Sequence, residues 1–203
     1  MVRLGQRLTQ TRDFLLEINE ACQGQIGFHA VGCNQCHSQL VRPTYAGSEM
    51  FREDWGGLAG DPDRGDTRRE TSVYDFEGEE FAFIGQARLG PDLSNLGRRL
   101  EARLGADDPT PEEWLYLHLY DPRGEAERAS SLCPSFRFMF EEIPVRGARR
   151  SDALPVAGDP AKQLLPKPEA RALVSYLLNL RKDDKQPASM TPPVEGAKPD
   201  PEA

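Results

Sequence analysis

The chain has 203 residues, enough for one domain with decorations or one domain plus tails. Only 38% of its residues are apolar and mean hydropathy is −0.61, so the sequence supplies less core than its length could bury. A net charge of −8 and a pI near 5.0 disfavour nucleic acid as a partner; an acidic surface suits a basic protein partner, and equally suits plain solubility.

Met1 to Glu20 spreads Arg3, Arg7, Arg12, Asp13, Glu17 and Glu20 among short apolar pieces. That pattern is neither a signal peptide nor a membrane helix, which takes about 20 apolar residues. Residues 1–20 therefore read as an N-terminal helix or the remnant of an anchor region, and a leader or anchor outside this sequence is expected. Phe14, Leu15 and Ile18 recur at helical spacing, which predicts one or two helices over about 11–31 with Gly24 and Gly27 as weak points.

Residues 49–84 are charged and Gly-rich around DPDRGDTRRE and read as a long surface excursion. Leu93, Leu96, Leu100 and Leu104 then predict a short amphipathic helix between Pro91 and Leu104. Thr110-Pro-Glu-Glu opens the next helix with a cap, a proline in the first turn and Glu113 placed for a capping box. That helix carries Trp114, Leu115, Leu117 and Leu119 and should stop near Asp121-Pro122. Residues 124–165 are broken by Pro, Gly and Arg, with a second insertion expected over about 140–165. The last helix starts near Pro168, with Leu173, Val174, Leu177 and Leu178 on one face. Asp183 to Ala203 holds five prolines and no apolar face and is expected to be a disordered Pro-rich tail. No internal repeat is visible.

Cys33-Asn-Gln-Cys36-His37 is a C-x-x-C-H pattern. Two thiols three positions apart on a tight turn can each add to one vinyl group of a haem, and the adjacent His37 then lies over the iron. A zinc half-site or a thioredoxin-like pair is the competing reading, but zinc would need ligands from Cys22, Cys133, His29 or His118. The sequence thus points to one covalent haem (heme c), a macrocycle that would also supply the missing apolar core. Haem attachment belongs to the periplasm or an equivalent oxidising compartment, where a Cys22–Cys133 disulfide is chemically permitted.

Gly24 and Phe28 precede Cys33 on one face of the incoming helix, and the closing helix offers Tyr176 and Leu177. Class I cytochromes c use such a glycine and aromatic pair where their first and last helices cross. In Gly90-Pro91-Asp92-Leu93, the same comparison implies that the Pro91 carbonyl holds the outer nitrogen of His37 and that Leu93 packs on the porphyrin.

GCNQCHSQLVRP (32–43), GPDLSNLGRR (90–99), WLYLHLYDPR (114–123) and ALVSYLLNL (172–180) occur in one order over residues 24–182. Together they resemble the mono-haem cytochrome c subunit of cbb-type haem–copper oxidases. The resemblance implies an all-α, class I cytochrome c-like domain over 21–182, with long irregular insertions. It also implies single-electron transfer in a respiratory chain and no enzymatic centre on this chain. Oxidase subunits or another cytochrome would be its partners at the periplasmic face of the membrane, reached through an anchor or through a partner. Arg42 and Arg98 become candidates for haem-propionate or partner contacts, with solvated surface arginine as the plain alternative.

The relatives carry S-x-M-P where this chain reads Ser130-Ser131-Leu132-Cys133-Pro134, so Cys133 stands in the place of the iron-binding methionine. Three readings stand: Cys133 ligates iron as a thiolate, Met139 does so instead, or the site is five-coordinate or filled by His118. A thioether raises the potential and a thiolate lowers it. The functional readings divide accordingly into an oxidase subunit, a soluble periplasmic shuttle, and a low-potential or ligand-binding haem sensor.

Overall fold

The computed structural model describes residues 12–182 except 53–54, 63, 77–78, 80–81, 125–127 and 156–158, with the backbone alone over 12–20. Residues 1–11 and the tail at 183–203 lie outside the described residues, as do the expectations made for them. Four helices form the frame: α1 (Arg12–Ala30), α2 (Leu96–Arg103), α3 (Pro111–Tyr120) and α4 (Pro168–Leu178). An all-helical chain was the expectation; the structure adds one antiparallel pair, β1 (Phe140–Pro144) with β2 (Lys162–Pro166), in register Phe140 to Pro166. Among the described residues no helix is long and apolar enough to cross a membrane.

α1 runs unbroken through Gly24 and Gly27. It packs along α4, and Gly24 is where the two backbones come closest. A Cβ added there would overlap the Ala172 carbonyl and stand 2.7 Å from the Tyr176 Cβ. One turn on, the Phe28 and Tyr176 rings meet at 5.6 Å, both essentially buried. Glycine at 24 is thus a condition of the helix pair.

α3 begins as its sequence dictates. The Thr110 hydroxyl accepts from the Glu113 backbone N–H at 3.2 Å, and the Glu113 carboxylate accepts from the Thr110 N–H at 3.0 Å. Thr110→Ala removes half of that reciprocal cap and should cost about 1 kcal/mol, read as a lowered midpoint in thermal unfolding.

α2 starts later than its leucine spacing suggests, at Leu96, because Pro91 to Asn95 are drawn into a loop that serves the region around His37. The strand pair escapes a periodicity reading because Phe-Glu-Glu-Ile-Pro does not alternate, while four consecutive residues of β2 are buried. Leu154 bridges to Leu164 and closes this unit over the core. The excursion at 49–84 is held by polar pairs: Arg69 grips Asp75 at 2.7 Å, and the buried Lys182 ammonium reaches Asp75 at 3.2 Å and Thr71 at 3.1 Å. Its Glu49 and Asp61 are buried, so part of this charged stretch faces inward.

Candidate functional site

α1 is followed by Gly32 in the left-handed conformation (φ 78°), which swings the chain into a single 3-10 turn over Cys33–Gln35. The N–H groups of Cys36 and His37 both return to the Cys33 carbonyl, at 3.1 and 2.9 Å. This tight turn presents Cys33, Cys36 and His37 together.

The loop at 86–93 lies alongside it, bonded backbone to backbone: Gln86 N–H to the Asn34 carbonyl at 2.8 Å, Gly90 to Cys36 at 3.0 Å, and Leu93 to Ser38 at 2.8 Å. At the centre, His37 Nδ1 stands 2.8 Å from the Pro91 carbonyl oxygen. A carbonyl can only accept, so Nδ1 carries the proton and Nε2 is left as the basic nitrogen. Burial holds the His37 pKa below its ordinary value, outweighing the bond to Pro91, and keeps the ring neutral. Gly90 presses on the same ring: a Cβ there would overlap Cε1 and stand 2.7 Å from Nδ1. The ring is gripped on an edge and on a face.

The thiols gather around this turn. Burial, together with Cys133 and Cys36 nearby, pushes the Cys33 thiol up to about 12. Burial also raises Cys133, again with Cys36 as a neighbour. Cys22 and Cys133 are not bridged; all four cysteines are free. Leu93 is buried in the hydrophobic cluster against which Cys33 and Cys133 both pack.

Met139 is buried in that same cluster with Phe136 and Phe140, its carbonyl held by the Lys167 N–H at 3.0 Å. Arg42 is bound to Glu49 at 2.6 Å and Arg98 to Glu101 at 2.7 Å. No protein-family model matches this chain, and no curated protein matches it.

Whether a haem suits these residues can be judged from their own chemistry. Two thiols on one turn and a neutral imidazole with its outer nitrogen fixed are the groups that attachment and iron binding of a covalent haem would use. Among the described residues no cluster of three or more His, Cys, Asp or Glu side chains is arranged to hold a metal ion. Leu93 lines the apolar side.

Two features go beyond the sequence reading. His118, offered there as an alternative iron ligand beside the plainer reading of an ordinary helix histidine, stacks flat on Trp114 at 5.1 Å, and its Nδ1 is buried with no hydrogen-bond partner. Burial, then Arg128 and His37, lower its pKa to about 4. Arg128 covers Trp114 at 4.9 Å, forming a stack beside the site. The i, i+4 placement of Trp114 and His118 was the available signal. The second is a chain of polar groups behind Pro91, built from the buried Asp92, Ser38 and Glu49 and the half-buried Arg88. Its one visible sign was an aspartate directly after the proline.

Proposed function

We propose that this chain is a mono-haem c-type cytochrome that transfers single electrons. Cys33 and Cys36 form the thioether links and His37 Nε2 binds iron. The observation that carries this reading is the His37 Nδ1 bond to the Pro91 carbonyl, made while two thiols share the same turn. It fixes the ring, sets the tautomer and raises the donor strength of Nε2. When bound, the haem supplies a one-electron iron couple. The chain's own contribution is to hold His37 in one orientation, to present the two attachment thiols on one half-buried turn and to keep water from the Leu93 side. The resemblance to the oxidase subunit favours a periplasmic respiratory partner, oxidase subunits or another cytochrome, with the oxygen-reducing centre on a different chain.

A second reading concerns the iron's other axial position. Cys133 lies close enough to Cys33 and Cys36 for the thiols to act on one another, while Met139 is buried within the hydrophobic cluster that Cys33 and Cys133 border, among Phe136 and Phe140. Cys133 is therefore the favoured ligand over Met139. Iron would lower the thiol's pKa, and a thiolate would give a low-potential protein, not a conventional donor to an oxidase.

The test is expression with a haem-attachment system, followed by intact mass and the pyridine haemochrome spectrum. One haem per chain is expected, with one thioether lost in Cys33→Ala, the other in Cys36→Ala, and low-spin iron lost in His37→Ala. A folded chain that takes up no iron porphyrin sinks the reading. Low-temperature EPR of Cys133→Ala and Met139→Leu assigns the axial ligand: a low-spin thiolate signal that disappears only with Cys133 supports the low-potential form.

A further inference from the structure

We propose that Glu49, carried by the charged excursion, is a positioning residue for His37, acting through Arg88, Ser38 and Asp92. This rests on the cytochrome reading above and assigns that excursion a role in it.

The connection is continuous. Glu49 is 4% exposed although its carboxylate belongs to a solvent-rich stretch of sequence. Its Oε2 accepts from the Arg42 backbone N–H at 2.9 Å and its Oε1 from Arg42 Nε at 2.6 Å, with the Arg88 guanidinium against Oε1 as well. Burial would raise this carboxyl, but Arg42 and Arg88 hold it below its usual range, so it is charged at neutral pH.

Arg88 is thereby fixed at one end. At the other, its Nε donates to the Ser38 hydroxyl at 2.8 Å and its Nη2 to the Leu40 carbonyl. The Ser38 hydroxyl then has one proton to give, and gives it to Asp92 Oδ2 at 2.6 Å. Asp92 is fully buried; Oδ2 also accepts from Leu40 N–H at 2.8 Å and Oδ1 from Ser94 N–H at 2.9 Å. The Asp92 peptide carbonyl accepts from the buried Arg99 at 2.9 Å. These bonds pin the residue directly after Pro91, and the Pro91 carbonyl is the acceptor for His37.

A buried carboxylate with this many partners is costly to assemble and rigid once assembled. The Pro91 carbonyl can orient an imidazole only if it does not move itself. Ser38 immediately follows His37, so the network ties both ends of the His37–Pro91 bond to one support. Without Glu49, Arg88 keeps its charge but loses its anchor, and the Ser38 hydroxyl is free to turn from Asp92.

The experiment uses the haem-loaded chain in its reduced state. It measures solvent exchange of the His37 Nδ1 proton by NMR and the midpoint potential by redox titration. Glu49→Gln and Ser38→Ala should each speed exchange by about tenfold, the protection afforded by roughly one hydrogen bond. Each should also raise the potential, because a loosened Nδ1 bond makes Nε2 a poorer donor to ferric iron. The double variant should add nothing to either single change, since both break one chain of contacts. Lys162→Gln, in an exposed pair with Glu142, should move neither readout.

The proposal is overturned if Glu49→Gln lowers stability while exchange and potential stay at wild-type values, or if the two changes add in full. Should Glu49→Gln fail to fold, Ser38→Ala and Arg88→Lys carry the same comparison. A wild-type chain that binds no haem refutes the cytochrome reading instead, and exchange at His37 in the haem-free protein still reports on the connection to Glu49.

Discussion

Gly24→Val should strip the chain of most of its stability, while Gly27→Ala, three residues along the same helix, should make it more stable. The contrast isolates packing from helix propensity. At Gly24 an added Cβ meets the Ala172 carbonyl and, at 2.7 Å, the Tyr176 Cβ, both part of the α4 backbone surface and unable to rotate away. α1 must then lift from α4, separating Phe28 from Tyr176 and breaking the Tyr176 hydroxyl's contact with Gln39 at 2.8 Å. Overpacking of this kind costs about 3 kcal/mol or more, against a total of roughly 5–15 kcal/mol for a domain. At Gly27 nothing lies within 4 Å of the added atom, so the helix gains about 0.5–1 kcal/mol from alanine's lower conformational entropy cost. Urea titration followed by circular dichroism reads both, as opposite shifts in midpoint at similar slope. Equal small effects at the two sites would mean that α1 and α4 do not meet at Gly24.

The same pair of glycines marks what could be read in the sequence. Helix-scale apolar spacing placed α1, α3 and α4 to within a few residues, and the Thr110 cap gave the start of α3 because its chemistry is entirely local. The turn carrying Cys33, Cys36 and His37 was legible for the same reason: its shape is set by residues adjacent along the chain. What could not be read depends on partners distant in sequence. β1 and β2 are joined by a 17-residue stretch and bury residues without alternation, so neither strand carries a periodic signal of its own. Glu49 and Arg88 lie 39 positions apart in a stretch whose composition says surface, and only folding brings them to Ser38. Arg42 illustrates the reverse case. The resemblance offers it as a propionate or partner contact, and its guanidinium is paired to Glu49.

The second large effect is expected in acid. His118 has an ordinary pKa of 6.5 when unfolded and one lowered to about 4 in the folded chain, chiefly by burial, then by the positive charge of Arg128 and by His37. Between those values the unfolded chain holds the proton and the folded one does not. Stability is therefore intact above pH 6.5 and lost as the pH falls toward 4, by up to about 3 kcal/mol from this one residue. Carboxylates paired in the fold lose their contribution at lower pH, as with Asp75, whose pKa is held near 2. The loss between pH 6.5 and 4 is thus carried by histidine, offset toward its acid end by Glu79, whose carboxyl pKa burial raises and whose protonation therefore adds stability. His118→Phe keeps a ring against Trp114, cannot titrate and removes a buried nitrogen that lacks a partner. Its denaturation midpoint should stay nearly level across that interval, apart from a smaller slope from His37, whose pKa burial also lowers. A variant that keeps the full wild-type slope would mean that His118 is solvated, and that the stack of Arg128, Trp114 and His118 does not close over the site. A flat profile carries a further implication. A buried imidazole nitrogen without a partner is destabilising by itself, so the stack would be holding a neutral ring beside His37 at a cost in stability.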